Sequence, residues 1–139
     1  MKVLVSACLV GRNCKYNGGN NFRESVAAFL QGHEVVEYCP EVMAGMPIPR
    51  IPMEIVNGRL LDREGNDKTE DMKRALEKAM EEIKKMGIDC AVLQSRSPTC
   101  GVRQVYDGTF SGKLISGQGM FARALMDAGI RVLDAEDVK

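Results

Sequence analysis

Residues 69–94, TEDMKRALEKAMEEIKKMGIDCAVLQ, contain the helix and the strand that decide the fold. Apolar side chains recur at helical spacing from Thr69 to about Met86, and Gly87 is a typical residue for ending a helix. The short apolar run that follows, residues 88–94, predicts a buried strand. A helix that leads into a buried strand is typical of a parallel α/β sheet.

Strands and helices alternate in the same way on both sides of this unit. The expected elements are a strand at residues 3–5, a helix from Asn21 to Gly32, a strand at residues 34–41, a helix over residues 117–127 and a last strand over residues 130–136. Asn21 is the expected cap of its helix, and the three prolines within residues 44–58 predict a loop. The sequence therefore predicts one domain over residues 1–139, with a three-layer, mostly parallel Rossmann-like sheet and helices on both faces.

The composition is that of an ordinary soluble globular protein. Of the 139 residues, 45% are hydrophobic and 27% are charged, and 19 basic residues balance 19 acidic ones. The zero net charge gives no overall field for attracting nucleic acid, and the lack of Trp argues against a stacking platform for single strands. Because no run is long enough to be a signal peptide or a membrane span, we expect a cytoplasmic protein.

Three of the five cysteines lie at or shortly after the carboxyl ends of predicted strands. Cys8 follows the first strand, Cys39 lies at the end of the second beside Pro40, and Cys100 lies in the polar loop after the third. Ligands of open parallel sheets bind in the crevice beyond the carboxyl ends of the strands, so these thiols are predicted to meet there. Thiolates are soft ligands for zinc, copper or iron–sulfur clusters, but the spacing alone does not identify the metal.

The other two cysteines have different interpretations. Cys90 begins the third strand at the opposite end of the sheet, which favours a core position. Cys14 could reach the crevice or have no role; with it, four thiolates would close a zinc site or a structural cluster site, whereas three would leave one metal position open. A metal-free enzyme with Cys100 as nucleophile is disfavoured because the only histidine, His33, lies elsewhere.

Four separated motifs resemble a bacterial and archaeal family that includes the thiouracil desulfidases. The motifs are SACLVGRNCKYNGG (residues 6–19), CPEVMAGMPIPRIPMEI (39–55), SPTCGVRQVYDGTFSG (97–112) and GQGMFARAL (117–125). The resemblance implies a 4Fe–4S cluster held by only Cys8, Cys39 and Cys100, with the fourth iron open to the sulfur of a substrate. It also implies hydrolytic, non-redox removal of sulfur from a small thiocarbonyl compound, with release of hydrosulfide.

Such a reaction needs a base and groups that bind the substrate. Glu41, two residues after Cys39, is the candidate base, and Ser97 is the candidate for orienting water or substrate. Arg50, Tyr106 and Asp107 are the candidate substrate-binding residues. Structural roles are the alternatives: a capping carboxylate for Glu41, local backbone bonds for Ser97, an ion pair with Glu54 for Arg50, and turn building for Tyr106 and Asp107.

Two departures from the family pattern bear on the substrate. Thr99 stands where the family's cysteine loop often has a serine, and Gln94 stands where a lysine is expected. The sequence has no net charge, and we expect no fused second domain of the kind found in relatives that act on thiolated tRNA. We therefore expect a free base or a small thioamide-like compound as the substrate rather than tRNA. Residues 117–122, GQGMFA, are only a weak dinucleotide fingerprint, but the helix they begin is expected to offer backbone N–H groups to the substrate or the cluster.

Overall fold

The structure is a computed structural model, and it describes residues 1–139. Its strands are β1 (Lys2–Ser6), β2 (Glu34–Tyr38), β3 (Met53–Val56), β4 (Arg59–Asp62), β5 (Cys90–Leu93), β6 (Gln104–Tyr106), β7 (Leu114–Ser116) and β8 (Arg131–Asp134). Its α-helices are α1 (Glu24–Leu30), α2 (Pro40–Met43), α3 (Thr69–Met86) and α4 (Met120–Asp127), and short 3-10 turns cover Ala7–Val10 and Ala135–Asp137. None of the helices is both long enough and apolar enough to cross a membrane.

Four parallel strands form the central sheet in the order β2–β1–β5–β8. Val3 of β1 lies opposite Val35 of β2 on one side and Cys90 of β5 on the other, so β1 and β5 are the inner strands. The remaining strands form two antiparallel hairpins, β3–β4 and β6–β7. The parallel sheet confirms the predicted α/β class.

Alternate side chains of the sheet pack against opposite layers, as the two-residue period of a strand requires. Leu4 belongs to an apolar cluster with α3 and α4, whereas Val3 and Val5 pack with α1 and with the 3-10 turn after β1. Cys90 lies in the second cluster and is 5% exposed. Helices therefore cover both faces of the sheet, and the predicted core position of Cys90 is confirmed.

Helix α3 has the predicted bounds, Thr69–Met86, and Gly87 follows it. Its buried side chains include Met72, Leu76 and Ile83, whose spacing of four and seven residues places them on one face. Burying a side chain of this kind stabilises the fold by about 1.5–3 kcal/mol relative to leaving it exposed. The longest periodic segment of the sequence is therefore also the largest contributor to one face of the core.

Several predicted boundaries are wrong. Helix α1 begins at Glu24, so Asn21 does not cap it, and α4 begins at Met120, three residues later than expected. The loop predicted over residues 44–58 includes β3, because the last proline is Pro52 and the four residues after it pair with β4. Neither hairpin follows from the sequence pattern, since their strands are only three or four residues long.

Candidate active site

A cavity of about 470 Å³ lies at the carboxyl ends of the sheet strands. Ser6 and Tyr38, the last residues of β1 and β2, line it, as does Gln94 just after β5. Met53 and Tyr106 bring the two hairpins into its wall. This is the position in which ligands bind to open parallel α/β sheets, and the cavity is therefore the candidate active site.

Four of the five cysteines line this cavity, and none is in a disulfide. Cys8 lies in the 3-10 turn after β1, Cys39 lies between β2 and α2, and Cys100 lies in the loop after β5. Cys14, whose position the sequence left open, also reaches the cavity and is 8% exposed. The three thiols that were expected to share the crevice do lie on one cavity, and a fourth thiol joins them.

The cysteine thiols are shielded from solvent and influence one another. Burial raises the pKa of Cys8, and the neighbouring Cys39 raises it further. Burial raises the pKa of Cys14 to about 12, again with a contribution from Cys39, and burial also raises the pKa of Cys100. Several thiolates in this cavity therefore need a positive centre to compensate their charge, and soft thiolates are good ligands for iron–sulfur clusters and zinc. The chemistry of the donor set fits such a centre.

Asn21 supplies a hydrogen bond to Cys8 that the sequence pattern does not predict. Its Nδ2 donates to the Sγ of Cys8 at 3.5 Å, and its backbone N–H donates to the carbonyl oxygen of Cys8 at 2.9 Å. The side-chain bond lowers the pKa of Cys8 and so opposes the effect of burial. An Asn just before a helix is typical of a helix cap, and only the path of the loop shows that this one bonds the 3-10 turn after β1.

The loop that carries Cys100 is organised by Ser97. The Oγ of Ser97 accepts the backbone N–H groups of Thr99 and Cys100, each at 3.1 Å. Its carbonyl oxygen accepts the N–H of Gly101 at 2.8 Å. Ser97 lines the cavity, but its hydroxyl is already bonded within the loop, which is the local role that the sequence allowed as an alternative.

The N-terminus of α4 holds the same loop from the other side. The N–H of Met120 donates to the carbonyl of Pro98 at 3.0 Å, and the N–H of Phe121 donates to the carbonyl of Thr99 at 2.8 Å. A Cβ at Gly119 would lie 2.4 Å from the carbonyl carbon of Thr99, so only glycine permits this approach. The expectation that these N–H groups face a substrate or cluster is wrong, because they bond the cysteine loop instead.

Glu41 lies in the first turn of α2 and lines the cavity. Its Oε2 accepts a hydrogen bond from the Nη2 of Arg50 at 3.0 Å, and both side chains are largely buried, at 17% and 5% exposure. Burial raises the pKa of Glu41, and the charge of Arg50 opposes this shift. The carboxylate is therefore held at a fixed position beside the thiols.

Arg50 itself is not among the residues that line the cavity. It pairs with Glu41 rather than with Glu54, and the same Nη2 donates to the carbonyl oxygen of Cys14 at 2.8 Å. Its Nε is buried without a hydrogen-bond partner. Arg50 therefore ties the Cys14 loop to α2 from behind the cavity wall.

Of the remaining predicted positions, two lie on the cavity and one lies in the turn between β6 and β7. Tyr106 and Gln94 line the cavity, so an amide occupies the position where the family resemblance leads us to expect a lysine. Asp107 does not line it, and its Oδ1 accepts bonds from the backbone N–H and the hydroxyl of Thr109. These bonds lower the pKa of Asp107 and build the turn between β6 and β7.

Glu54 lines the cavity, although the sequence suggests it only as an ion-pair partner of Arg50. It is 8% exposed and lies in β3, and its Oε1 accepts the N–H groups of Gly108 at 2.9 Å and Phe110 at 3.2 Å. Arg63 lies over the ring of Phe110 at 5.9 Å. One buried carboxylate therefore joins the two hairpins that complete the cavity wall.

Residues 3–137 match the model of a family described as 2-thiouracil desulfurase. The chain belongs to this family. It is 34% identical to the uncharacterized protein YbbK of Bacillus subtilis (strain 168), over 98% of this chain and 97% of that protein. Among solved structures it is similar to the 4Fe–4S-dependent thiouracil desulfidase TudS, with a TM-score of 0.90 and 32% identity over 99% of this chain and 92% of that one. The family resemblance and the fold class are both confirmed.

Proposed function

We propose that this member of the family removes sulfur from a small thiocarbonyl compound of the thiouracil type, using a 4Fe–4S cluster held by Cys8, Cys39 and Cys100. The observation that carries the proposal is that these three thiols, far apart in sequence, line one cavity with Glu41. The family description and the name of TudS support the reaction and the cofactor.

The proposed ligands come from three separate segments of the chain. Cys8 lies in the turn after β1, Cys39 lies between β2 and α2, and Cys100 lies in the loop after β5, and all three line the cavity. Their thiolates would hold the cluster. When bound, a cluster with three protein ligands supplies a Lewis-acidic iron that polarises a C=S bond and attracts its sulfur.

The protein's own task is then to place water and to move protons. Water adds to the thiocarbonyl carbon, the carbon–sulfur bond breaks, and sulfur leaves as hydrosulfide, so no electrons are gained or lost. Arg50 bonds the Oε2 of Glu41, and we assign the other oxygen, Oε1, to take the proton from water. We assign Ser97 to shaping the Cys100 loop rather than to orienting water, because its hydroxyl is bonded within that loop.

The substrate ring is assigned to the part of the cavity formed by the hairpins and the end of β5. Tyr106 and Phe110 provide aromatic surface, and the amide of Gln94 can both donate to and accept from a pyrimidine edge. Arg50 and Asp107 are assigned structural roles, since neither lines the cavity.

The direct test is desulfuration by anaerobically purified protein. We expect iron and sulfide in the proportions of a 4Fe–4S cluster, and hydrosulfide and uracil as products from 2-thiouracil. Changing Cys8, Cys39 or Cys100 to serine should abolish cluster and activity, whereas Cys90→Ser is the matched control, because Cys90 is a thiol buried in the core away from the cavity. Full turnover by any one of the three variants would refute the ligand assignment.

A closed four-thiolate site is the second candidate, and the position of Cys14 in the cavity favours it. In that case the protein would hold zinc or a structural cluster without catalysis. Elemental analysis distinguishes a zinc site, which would be colourless, from an iron–sulfur cluster. A cluster-loaded protein that releases no hydrosulfide would support a structural cluster rather than a catalytic one. A cluster that persists in Cys14→Ser with full activity would exclude Cys14 from the ligand set.

A further inference from the structure

A chain of two hydroxyl groups ends on the sulfur of Cys100. The Oγ of Ser97 lies 2.9 Å from the Oγ1 of Thr99, and the Oγ1 of Thr99 lies 3.8 Å from the Sγ of Cys100. The distance to sulfur is within the range of a hydroxyl–sulfur hydrogen bond, since sulfur is larger than oxygen.

The direction of this chain follows from counting donors and acceptors. A hydroxyl oxygen has two lone pairs and one proton. Ser97 already accepts two backbone N–H groups, from Thr99 and Cys100, so its proton is the group left for Thr99. The Oγ1 of Thr99 therefore accepts from Ser97, and its own proton points to the sulfur of Cys100.

The surroundings fix the hydroxyl of Thr99 in this position. Thr99 is fully buried, at 0% exposure, so water does not compete for its proton. Its carbonyl oxygen accepts the N–H groups of Phe121 and Ala122 at the start of α4, at 2.8 and 3.1 Å. The backbone of Thr99 is thus clamped by a helix, and the side chain is oriented by Ser97.

We propose that Thr99 is a positioning residue that donates a hydrogen bond to Cys100 when this cysteine is a thiolate ligand, with Ser97 setting the direction of the bond. The inference rests on the proposed cluster. Hydrogen bonds to the sulfurs of iron–sulfur clusters help to set the reduction potential. They do so because a reduced cluster carries more negative charge on its sulfurs, and a donor stabilises that charge. Reduction serves here only as a probe of the bond, since the proposed reaction is not a redox reaction.

The experiment compares Thr99→Val, which removes the hydroxyl and keeps the shape, with Thr99→Ser, which keeps the hydroxyl. Thr109→Val is the matched control, because the hydroxyl of Thr109 bonds Asp107 and Ser111 and no cysteine. The midpoint potential of the reconstituted cluster is measured by an anaerobic redox titration followed by electron paramagnetic resonance.

We expect the equilibrium constant for one-electron reduction to fall about tenfold in Thr99→Val, a change of about 59 mV towards negative potential. Thr99→Ser should restore the original potential, and Thr109→Val should not change it. An unchanged midpoint potential in Thr99→Val would overturn the proposed hydrogen bond from Thr99 to Cys100 while leaving the proposed function intact. A potential that falls equally in Thr99→Ser would also overturn it, since that variant retains the donor.

Failure of the proposed function would be visible in a different measurement. If the wild-type protein takes up no cluster under the same conditions, the proposed function fails, and Cys100 is not a thiolate ligand to which Thr99 could donate. If Thr99→Val does not accumulate as folded protein, Ser97→Ala tests the same claim: it removes the group that orients Thr99, and a smaller fall in potential than the tenfold change is then expected. An unchanged potential in Ser97→Ala would contradict the assigned direction of the chain.

Discussion

The central sheet and the wall of the cavity are held by different kinds of contact. The sheet and α3 are packed by apolar side chains such as Leu4 and Ile83, both essentially without exposed surface. The wall is held by polar side chains that bond backbone groups of another segment, such as Ser97 in the Cys100 loop and Glu54 between the hairpins. Substitutions that remove apolar contacts of the sheet and α3 should therefore lower the free energy of unfolding. Substitutions that disturb the polar contacts of the cavity wall should instead lower the rate of desulfuration or the affinity for substrate.

The largest effect is expected from Gly119→Ala in the cavity wall. The new methyl group would meet the carbonyl of Thr99 at 2.4 Å and push the Cys100 loop away from α4. Misplacing a reacting group by about 1 Å can cost about 100-fold in rate, so desulfidase activity should fall by at least about that factor. The measurement is the initial rate of hydrosulfide release.

Gly117→Ala is the matched control for this change. A Cβ at Gly117 would lie 3.3 Å from a side-chain methyl of Val105, which can shift. Its activity should stay near that of the wild type. Equal losses in both variants would mean that the close approach of Gly119 to the cysteine loop has no special importance.

The next largest effect is expected in the core, from Ile83→Ala. Ile83 is 1% exposed on the sheet-facing side of α3, and truncating such a residue costs about 2–5 kcal/mol of unfolding free energy. Urea denaturation measures this loss, with the exposed Lys85→Ala as a control that should change stability by less than about 0.5 kcal/mol. Activity per folded molecule should be unchanged. A large loss of activity in folded Ile83→Ala protein would contradict the separation of core and wall.

Glu54→Ala should have an intermediate effect on substrate binding. The change leaves the backbone N–H groups of Gly108 and Phe110 without their acceptor. Leaving such a group unsatisfied costs about 1–3 kcal/mol in the stability of the folded hairpin turn. Because we assign the substrate ring to the part of the cavity that the hairpins form, we expect KM to rise about tenfold with a smaller change in kcat. Steady-state kinetics measure both constants. A fall in kcat at constant KM would place Glu54 in the chemical step instead.

The smallest effect is expected from Asp67→Asn, at the start of α3. Hydrogen bonds from Thr69, together with Arg59, lower the pKa of Asp67 to about 2. Because the pKa of Asp67 is lowered in the folded state, its charged form stabilises the fold at pH values above the ordinary Asp pKa of about 3.9. This contribution is lost as the pH falls towards 2. Wild-type stability should therefore fall more steeply than that of Asp67→Asn over this acid range, with no effect on activity at neutral pH. Parallel stability curves would show that Asp67 makes no such contribution.

The same difference between the two regions explains what the sequence could predict of the fold. The bounds of α3 follow from the sequence because its apolar period extends over 18 residues. The hairpin strands are three or four residues long, too short for a period to be recognised, and their position depends on the bonds that Glu54 makes. Long-range polar contacts of this kind leave no local pattern.

The meeting of three cysteines in one site could be predicted because each of them lies near the end of a parallel strand. Parallel strands end at one edge of the sheet, so the positions of Cys8, Cys39 and Cys100 could be placed together. The bonds of Asn21 to Cys8 and of Arg50 to Glu41 depend on how the loops fold back, which spacing along the chain does not determine.

The proposed function requires that the sulfurs of Cys8, Cys39 and Cys100 bind one iron–sulfur centre and that the fourth thiol of the cavity does not bind it. The most direct measurement is iron anomalous scattering from crystals of protein prepared and frozen without oxygen. We predict a compact anomalous peak of a 4Fe–4S cluster bonded to Cys8, Cys39 and Cys100, with Cys14 outside bonding distance. A peak bonded to all four cysteines, or one that leaves out Cys8, Cys39 or Cys100, would contradict it.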